Sequence, residues 1–88
     1  TLKERLEKKV TDFCQRNKLG LIESSLGYTG LCERAYPPSN ELKAYHRIAF
    51  NISSLTESTW QRCSIFIDPT TEKIVFLLTP HYYEELDE

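Results

Sequence analysis

The chain has 88 residues, 40% of them hydrophobic and 27% charged, which is the size and composition of one ordinary folded domain and excludes a disordered chain. Its formal net charge of -2 is small, and the basic residues near the start alternate with glutamates, so we expect no direct nucleic-acid binding. No apolar run approaches the roughly 18 residues of a membrane-spanning helix and no leader pattern opens the chain, so we expect neither membrane insertion nor secretion.

The first segment has the pattern of an amphipathic helix. Its apolar residues recur at helical spacing and form one stripe, made of Leu2, Leu6, Val10 and Phe13. We predict a helix over residues 1–17, ended before Gly20. Lys9 stands where a strict heptad needs an apolar residue, so a long regular coiled coil is not indicated, although the segment fits the end of one.

Four later segments have the pattern of β-strands, at residues 19–25, 42–52, 60–67 and 74–78. The glycines and prolines of residues 26–40 predict a loop, with at most a short strand at 30–35. Asp68 and Pro69 favour a turn over residues 68–73. The most continuously apolar strand, 74–78, is expected to be covered on both faces, one of them by the first helix.

The last segment begins with Pro80 and is rich in acids, which suits the first turn of a second helix. We therefore predict an α+β fold in two parts, the N-terminal helix at 1–17 and a globular head at 18–88. In it, the N-terminal helix packs through Leu6, Val10 and Phe13 on an antiparallel sheet of about four strands, and a C-terminal helix begins at the end. The expected sheet core is Ile48, Phe50, Ile65, Ile67, Phe76 and Leu78.

No pattern in the sequence predicts catalysis or metal binding. The three cysteines are too unevenly spaced for a metal pair or a complete disulfide set, and we interpret them as reduced, packed thiols. His46 and His81 bring no third ligand with them, and the acids from Glu84 onward have no apolar shell to raise a pKa. We therefore predict no cofactor and no enzymatic activity.

The order of these elements resembles the RWD fold. More narrowly, it is similar to the family of kinetochore heads that includes the spindle-pole-component subunit twenty-five of the Ndc complex. The residues that carry this resemblance stand in the family's order: Leu19-Gly20-Leu21, Ile48-Ala49-Phe50-Asn51-Ile52-Ser53, Ile65-Phe66-Ile67-Asp68 and Leu78-Thr79-Pro80.

The resemblance implies a non-enzymatic structural subunit of the kinetochore, in the nucleus at the centromere, acting in chromosome segregation. Such a subunit pairs through its coiled coil and head with a sister RWD subunit, and the pair docks microtubule-binding machinery onto inner-kinetochore receptor peptides. The candidate partner-binding residues are Leu2, Leu6, Phe13, Trp60, Tyr82 and Tyr83. For the three aromatic residues, core or edge packing is the alternative interpretation.

Two other functions fit the same fold. One is a regulatory RWD module of a larger signalling or ubiquitin-pathway protein, which would differ from the kinetochore head mainly in what precedes Thr1. The other is an enzyme accessory, because RWD modules resemble ubiquitin-conjugating folds. Those enzymes need an exposed nucleophilic cysteine beside an asparagine, and Cys32 is the only loop candidate, without the His-Pro-Asn motif.

Overall fold

The structure, a computed structural model, describes residues 1–35, 41–53, 60–80 and 83–86, with the main chain alone at Trp60. In this part of the chain one helix precedes five strands: α1 Leu2–Arg16, β1 Gly20–Ala35, β2 Leu42–Ser53, β3 Trp60–Ile67, β4 Ile74–Leu78 and β5 Tyr83–Glu85. The strands form one sheet in the order β1-β2-β3-β4-β5, and each pair is antiparallel. The predicted α+β class is confirmed.

Both ends of α1 are capped by local hydrogen bonds. At its start the Thr1 hydroxyl accepts a hydrogen bond from the Glu4 N–H at 3.3 Å. At its end Lys18 takes a left-handed conformation, with φ 56°, and the Leu19 N–H donates to the Cys14 carbonyl at 2.9 Å. This is the bonding of a Schellman motif, which normally uses glycine at the left-handed position. The helix therefore ends where the sequence predicts.

The core lies between α1 and one face of the sheet. On α1 the buried residues are Leu6, Val10, Phe13 and Cys14, and on the sheet they are Ile48, Phe50, Cys63, Ile65, Ile67, Ile74 and Leu77. Burying one large aliphatic or aromatic side chain contributes about 1.5–3 kcal/mol, so this single layer supplies most of the stability of a small domain. The predicted packing of the helix through its apolar stripe is confirmed.

The prediction of a loop is wrong for residues 26–29, where β1 continues, whereas the short strand predicted at 30–35 is confirmed as the end of β1. The pairing of β1 with β2 shifts register twice, between Ile22 and Gly27 and between Tyr28 and Gly30. Gly30 has φ 98°, a conformation that residues with a Cβ rarely adopt. The glycines therefore mark bulges inside one strand and not a chain reversal. Residues 36–40 lie outside the described part.

A bulge also changes which residues of β4 face α1. Ile67 pairs with Ile74, but Phe66 pairs with Phe76, so Val75 is an extra residue between the two pairs. Successive side chains of a strand point to opposite faces, and one extra residue reverses that alternation. Ile74 and Leu77 consequently face α1, and the prediction that Phe76 and Leu78 belong to this core is wrong.

The predicted C-terminal helix is also wrong for the described residues, and the sheet has five strands and not four. Residues 83–85 form β5, in which Tyr83 pairs with Leu78 and Glu85 with Phe76. The Leu86 N–H extends the pairing by donating to the Val75 carbonyl at 2.8 Å. Pairing satisfies main-chain groups on the outer edge of β4, whereas a helix of about two turns is not stable by itself.

The predicted turn at 68–73 is confirmed and is tied to α1. The Asp68 carboxylate accepts hydrogen bonds from the main-chain N–H groups of Thr70 and Thr71 at 2.7 and 3.0 Å. Bonds from Thr71 and Thr70 hold the pKa of Asp68 below its usual value. Glu72 follows with φ 57° and accepts two hydrogen bonds from the Arg5 guanidinium, at 2.8 and 3.1 Å. This bidentate ion pair joins the first turn of the helix to the β3–β4 turn.

Phe50 is fully buried in the centre of the core, so we predict that Phe50→Ala lowers the free energy of unfolding by about 3–5 kcal/mol. Urea denaturation followed by circular dichroism measures the change. The matched control is Leu42→Ala in the same strand, whose side chain is 65% exposed and whose truncation should change stability by no more than about 0.5 kcal/mol. Equal midpoints for the Phe50 variant and the wild type would contradict the packing described.

The Arg5–Glu72 ion pair predicts a pH dependence of stability. Its hydrogen bond holds the pKa of Glu72 in the folded chain below the ordinary value of 4.5. The stabilisation is therefore present above pH 4.5 and is lost as the pH falls through the lower folded-state pKa. We expect Glu72→Gln to be less stable than the wild type at pH 7 and equally stable once Glu72 is protonated. In an Arg5→Gln background, the stability difference between Glu72 and the Glu72→Gln variant should depend little on pH. If the pH dependence were unaltered in that background, its origin would not be the ion pair with Arg5.

Candidate protein-interaction surface

The face of the sheet opposite α1 carries a row of aromatic side chains, which we call the aromatic face: Tyr45, Phe66, Phe76 and Tyr83. Tyr45 meets Phe66 and Phe76 edge to face, with ring centroids 6.3 and 5.5 Å apart, and Tyr83 stacks on Phe76 at 5.4 Å. These are the favourable geometries for aromatic pairs. The row crosses four adjacent strands, from β2 to β5.

The solvent exposure of the side chains increases across the aromatic face, from a buried centre to an exposed margin. Phe66 is fully buried and Tyr45 nearly so, whereas Leu78 and Tyr83 at the β4–β5 side are each 38% exposed. The Arg34 guanidinium lies 5.7 Å from the Phe66 ring centroid, within cation–π range. Aromatic rings and guanidinium groups are enriched where proteins contact one another.

Arg47 lies on the same side of the sheet as the aromatic face and is held by a side-chain contact. Its Nε donates to the Ser64 hydroxyl at 3.1 Å, and Ser64 is itself buried. Fixing a guanidinium in this way reduces the rotamer entropy that a binding partner would otherwise have to overcome. This face is therefore ordered, polar at intervals and suited to contact with another protein.

The candidate partner-binding residues of α1 are differently placed from one another. Leu6 and Phe13 are buried against the sheet of their own chain, and only Leu2, at 37% exposure, reaches the surface. In this arrangement a partner helix would meet neither Leu6 nor Phe13. The stripe that resembles a coiled-coil seam packs on the chain's own sheet from Leu6 onward.

The three aromatic candidates are placed as follows. Tyr83 belongs to the aromatic face, and its hydroxyl donates to Glu85 Oε1 at 3.1 Å. The side chain of Trp60 and all of Tyr82 lie outside the described part. Sequence reasoning missed Tyr45 and Phe66, although their alternation with the core residues of β2 and β3 was a signal that could have found them.

Cys14 and Cys63 are poorly suited to nucleophilic chemistry. Burial raises the pKa of the Cys14 thiol to about 11, and the nearby Cys63 adds to the rise. Burial also raises the pKa of Cys63. A cleft of about 510 Å³ at the end of α1 exposes part of the Cys14 environment, between Leu19 and Ile52, but the thiol there stays protonated at neutral pH.

His46 is buried and hydrogen-bonded. Its Nδ1 lies 2.8 Å from the Tyr28 hydroxyl, and the two rings meet edge to face at 5.5 Å. Among the residues that the structure describes, no group of three or more His, Cys, Asp or Glu side chains could hold a metal ion. Of the acidic tail, Glu84 and Glu85 are exposed on β5, and residues 87–88 lie outside the described part.

Within the described ranges no helix is long and apolar enough to cross a membrane. Comparison with protein-family models, curated proteins and solved structures found no match to this chain. The resemblance to the RWD fold therefore depends on the sequence motifs.

The environments of the thiols predict their order of alkylation. Native protein treated with iodoacetamide at pH 8 should be labelled first at Cys32, which is partly exposed, because Cys14 and Cys63 are buried and protonated. Peptide mass spectrometry over a time course measures the three rates. In denaturant the three rates should converge, which is the internal control. Labelling of Cys14 in the native protein as fast as Cys32 would contradict the burial described.

Proposed function

We propose that the chain is a non-enzymatic protein-binding head of the RWD type, acting as a structural subunit of the kinetochore. Its role is to pair with a sister RWD subunit and to dock microtubule-binding machinery onto inner-kinetochore receptor peptides at the centromere. The observation that carries the protein-binding part is the aromatic face, where Leu78 and Tyr83 are surface-exposed beside buried rings.

The margin of the aromatic face suits the contact with the sister head. A protein interface places aromatic and aliphatic anchors at its centre and polar groups at its rim. Leu78 and Tyr83 supply the anchors, and the exposed Glu85 lies on the same face of β5 as Tyr83. These residues stand on two hydrogen-bonded strands, so they keep their geometry without the partner.

The chemistry of the described residues supports a binding role over a catalytic one. Cys14 and Cys63 are buried thiols with raised pKa values, the opposite of what a nucleophile needs. The imidazole of His46 contacts a tyrosine hydroxyl and has no described thiol or serine nucleophile as a hydrogen-bond partner. The motifs that resemble the kinetochore heads fall in α1–β1, β2, β3 and β4, which pack as one unit.

One observation favours the second candidate, a regulatory RWD module of a larger signalling or ubiquitin-pathway protein. The apolar stripe of α1 is used by its own sheet at Leu6, Val10 and Phe13, so the domain completes its core without a partner helix. A kinetochore subunit with this head would pair through Leu2, through residues upstream and through the aromatic face. The two candidates therefore differ in whether a stable sister subunit exists.

Co-expression with candidate sister RWD subunits, followed by light scattering, tests the proposal. We expect a one-to-one heterodimer, weakened by Leu78→Lys together with Tyr83→Lys, and a tagged full-length protein located at centromeres. The matched control is Lys73→Glu, a charge change at an exposed residue outside the aromatic face, which should leave the heterodimer intact. A monomer that pairs with no candidate and is absent from centromeres would refute the kinetochore role and favour the regulatory module.

A further inference from the structure

The β1–β2 hairpin carries a second surface, separate from the aromatic face, at the end where β1 finishes and β2 begins. Here residues 30–35 pair with residues 42–47 one to one, without a bulge. We call this segment the hairpin end. Residues directly opposite in an antiparallel pair share a face, so Leu31, Glu33, Leu42 and Ala44 lie on the same side as the core residue Ile48.

The α1 side of the hairpin end is exposed and carries apolar side chains on either side of Glu33. Leu31 is 60% exposed and Leu42 65%, the highest values among the large hydrophobic residues described. Ala35 and Ala44 beside them are also exposed. Single exposed leucines are common, but two leucines and two alanines on adjacent strands form a continuous patch.

The outer edge of β1 adds main-chain hydrogen-bonding groups to this patch. β1 is an edge strand of the sheet, and no described strand pairs with its outer side. Proteins protect exposed edges with bulges, charges and prolines. The two bulges of β1 end at Gly30, so the regular stretch from Leu31 to Ala35 keeps the geometry that another strand can extend.

Charge complementarity favours a segment of another protein over a second copy of this chain as the occupant. If two copies paired along β1 about a twofold axis, directly opposite residues would share a face of the joined sheet. Glu33 would then lie opposite Leu31, Glu33 or Ala35 of the other copy. None of these is basic. Arg34 lies on the other face, where its guanidinium contacts Phe66 and donates to the Glu33 carbonyl oxygen at 2.8 Å. Self-pairing therefore leaves the Glu33 carboxylate without a cation.

We propose that the hairpin end binds an extended segment of another protein, added as a strand along β1, with the pattern apolar, any residue, basic, any residue, apolar. The first apolar side chain lies beside Leu31 and the basic one faces Glu33. The second is opposite Ala35, which is small enough to let that side chain reach Leu42. The pattern is the same in both directions, so it serves parallel and antiparallel addition alike. This inference rests on the proposed function only in that the domain binds proteins.

A displayed library of random peptides, selected against the full 88-residue chain, tests the proposal. We expect the enriched peptides to carry the stated pattern. Their binding should slow amide hydrogen exchange at residues 30–35 of the protein. Leu31→Lys combined with Leu42→Lys should lower the affinity for these peptides at least about tenfold. Glu33→Lys should reverse the charge preference, so that peptides with Glu in place of the basic residue bind better. Thermal melting verifies that these surface variants stay folded.

The outcomes that overturn this inference differ from those that overturn the proposed function. No enrichment, or enriched peptides that bind the double lysine variant as well as the wild type, would remove the hairpin end as a strand-addition site. A dimer of the chain that dissociates on Leu31→Lys would identify a second copy as the occupant. Peptide binding without sister pairing would refute the proposed kinetochore role alone, and sister pairing without peptide selection would refute this inference alone.

Discussion

The packing of α1 on one face of the sheet is the constraint on which the rest of the structure depends. The helix is the one described element that covers a face of the sheet, and β2, β3 and β4 each present apolar residues to the stripe formed by Leu6, Val10, Phe13 and Cys14. The alternation of β2 and β3 follows from this requirement, because Ile48, Phe50 and Ile65 can reach the helix only from that face. The Arg5–Glu72 ion pair then fixes the helix over the β3–β4 turn.

The apolar stripe of α1 is buried within the domain, and this determines which surfaces remain available to partners. A helix stripe can pack on its own sheet or in a coiled-coil seam, but the same side chain cannot be buried in both. Since Leu6 and Phe13 are buried in the core, contacts with other proteins must use other surfaces. The described chain offers the aromatic face and the hairpin end, and both combine ordered strands with exposed apolar side chains.

The sequence predicted the secondary-structure elements correctly wherever one hydrophobic periodicity continued without interruption. The helix, β2, β3 and the turn at Asp68 were predicted closely, because each has a regular pattern or a specific turn residue. The failures are all cases where strand pairing overrides the local pattern. Gly27 and Gly30 have the composition of a loop but sit at bulges, and the extra residue Val75 reverses the alternation of β4. β5 forms because β4 has a free edge with which it can pair. The sequence of residues 83–85 by itself does not predict that pairing.

The aromatic face and the hairpin end are connected through one side chain. Arg34 is part of the strand whose edge is open, yet its guanidinium lies over Phe66 on the opposite face and also donates to the Glu33 carbonyl. A group that contacts both surfaces transmits a change only if binding at one alters its contacts at the other. A strand added along β1 would approach the main chain at Glu33, where this hydrogen bond is made. The two surfaces lie on different sides of the sheet, and Arg34 contacts Phe66 on one and the main chain of Glu33 on the other.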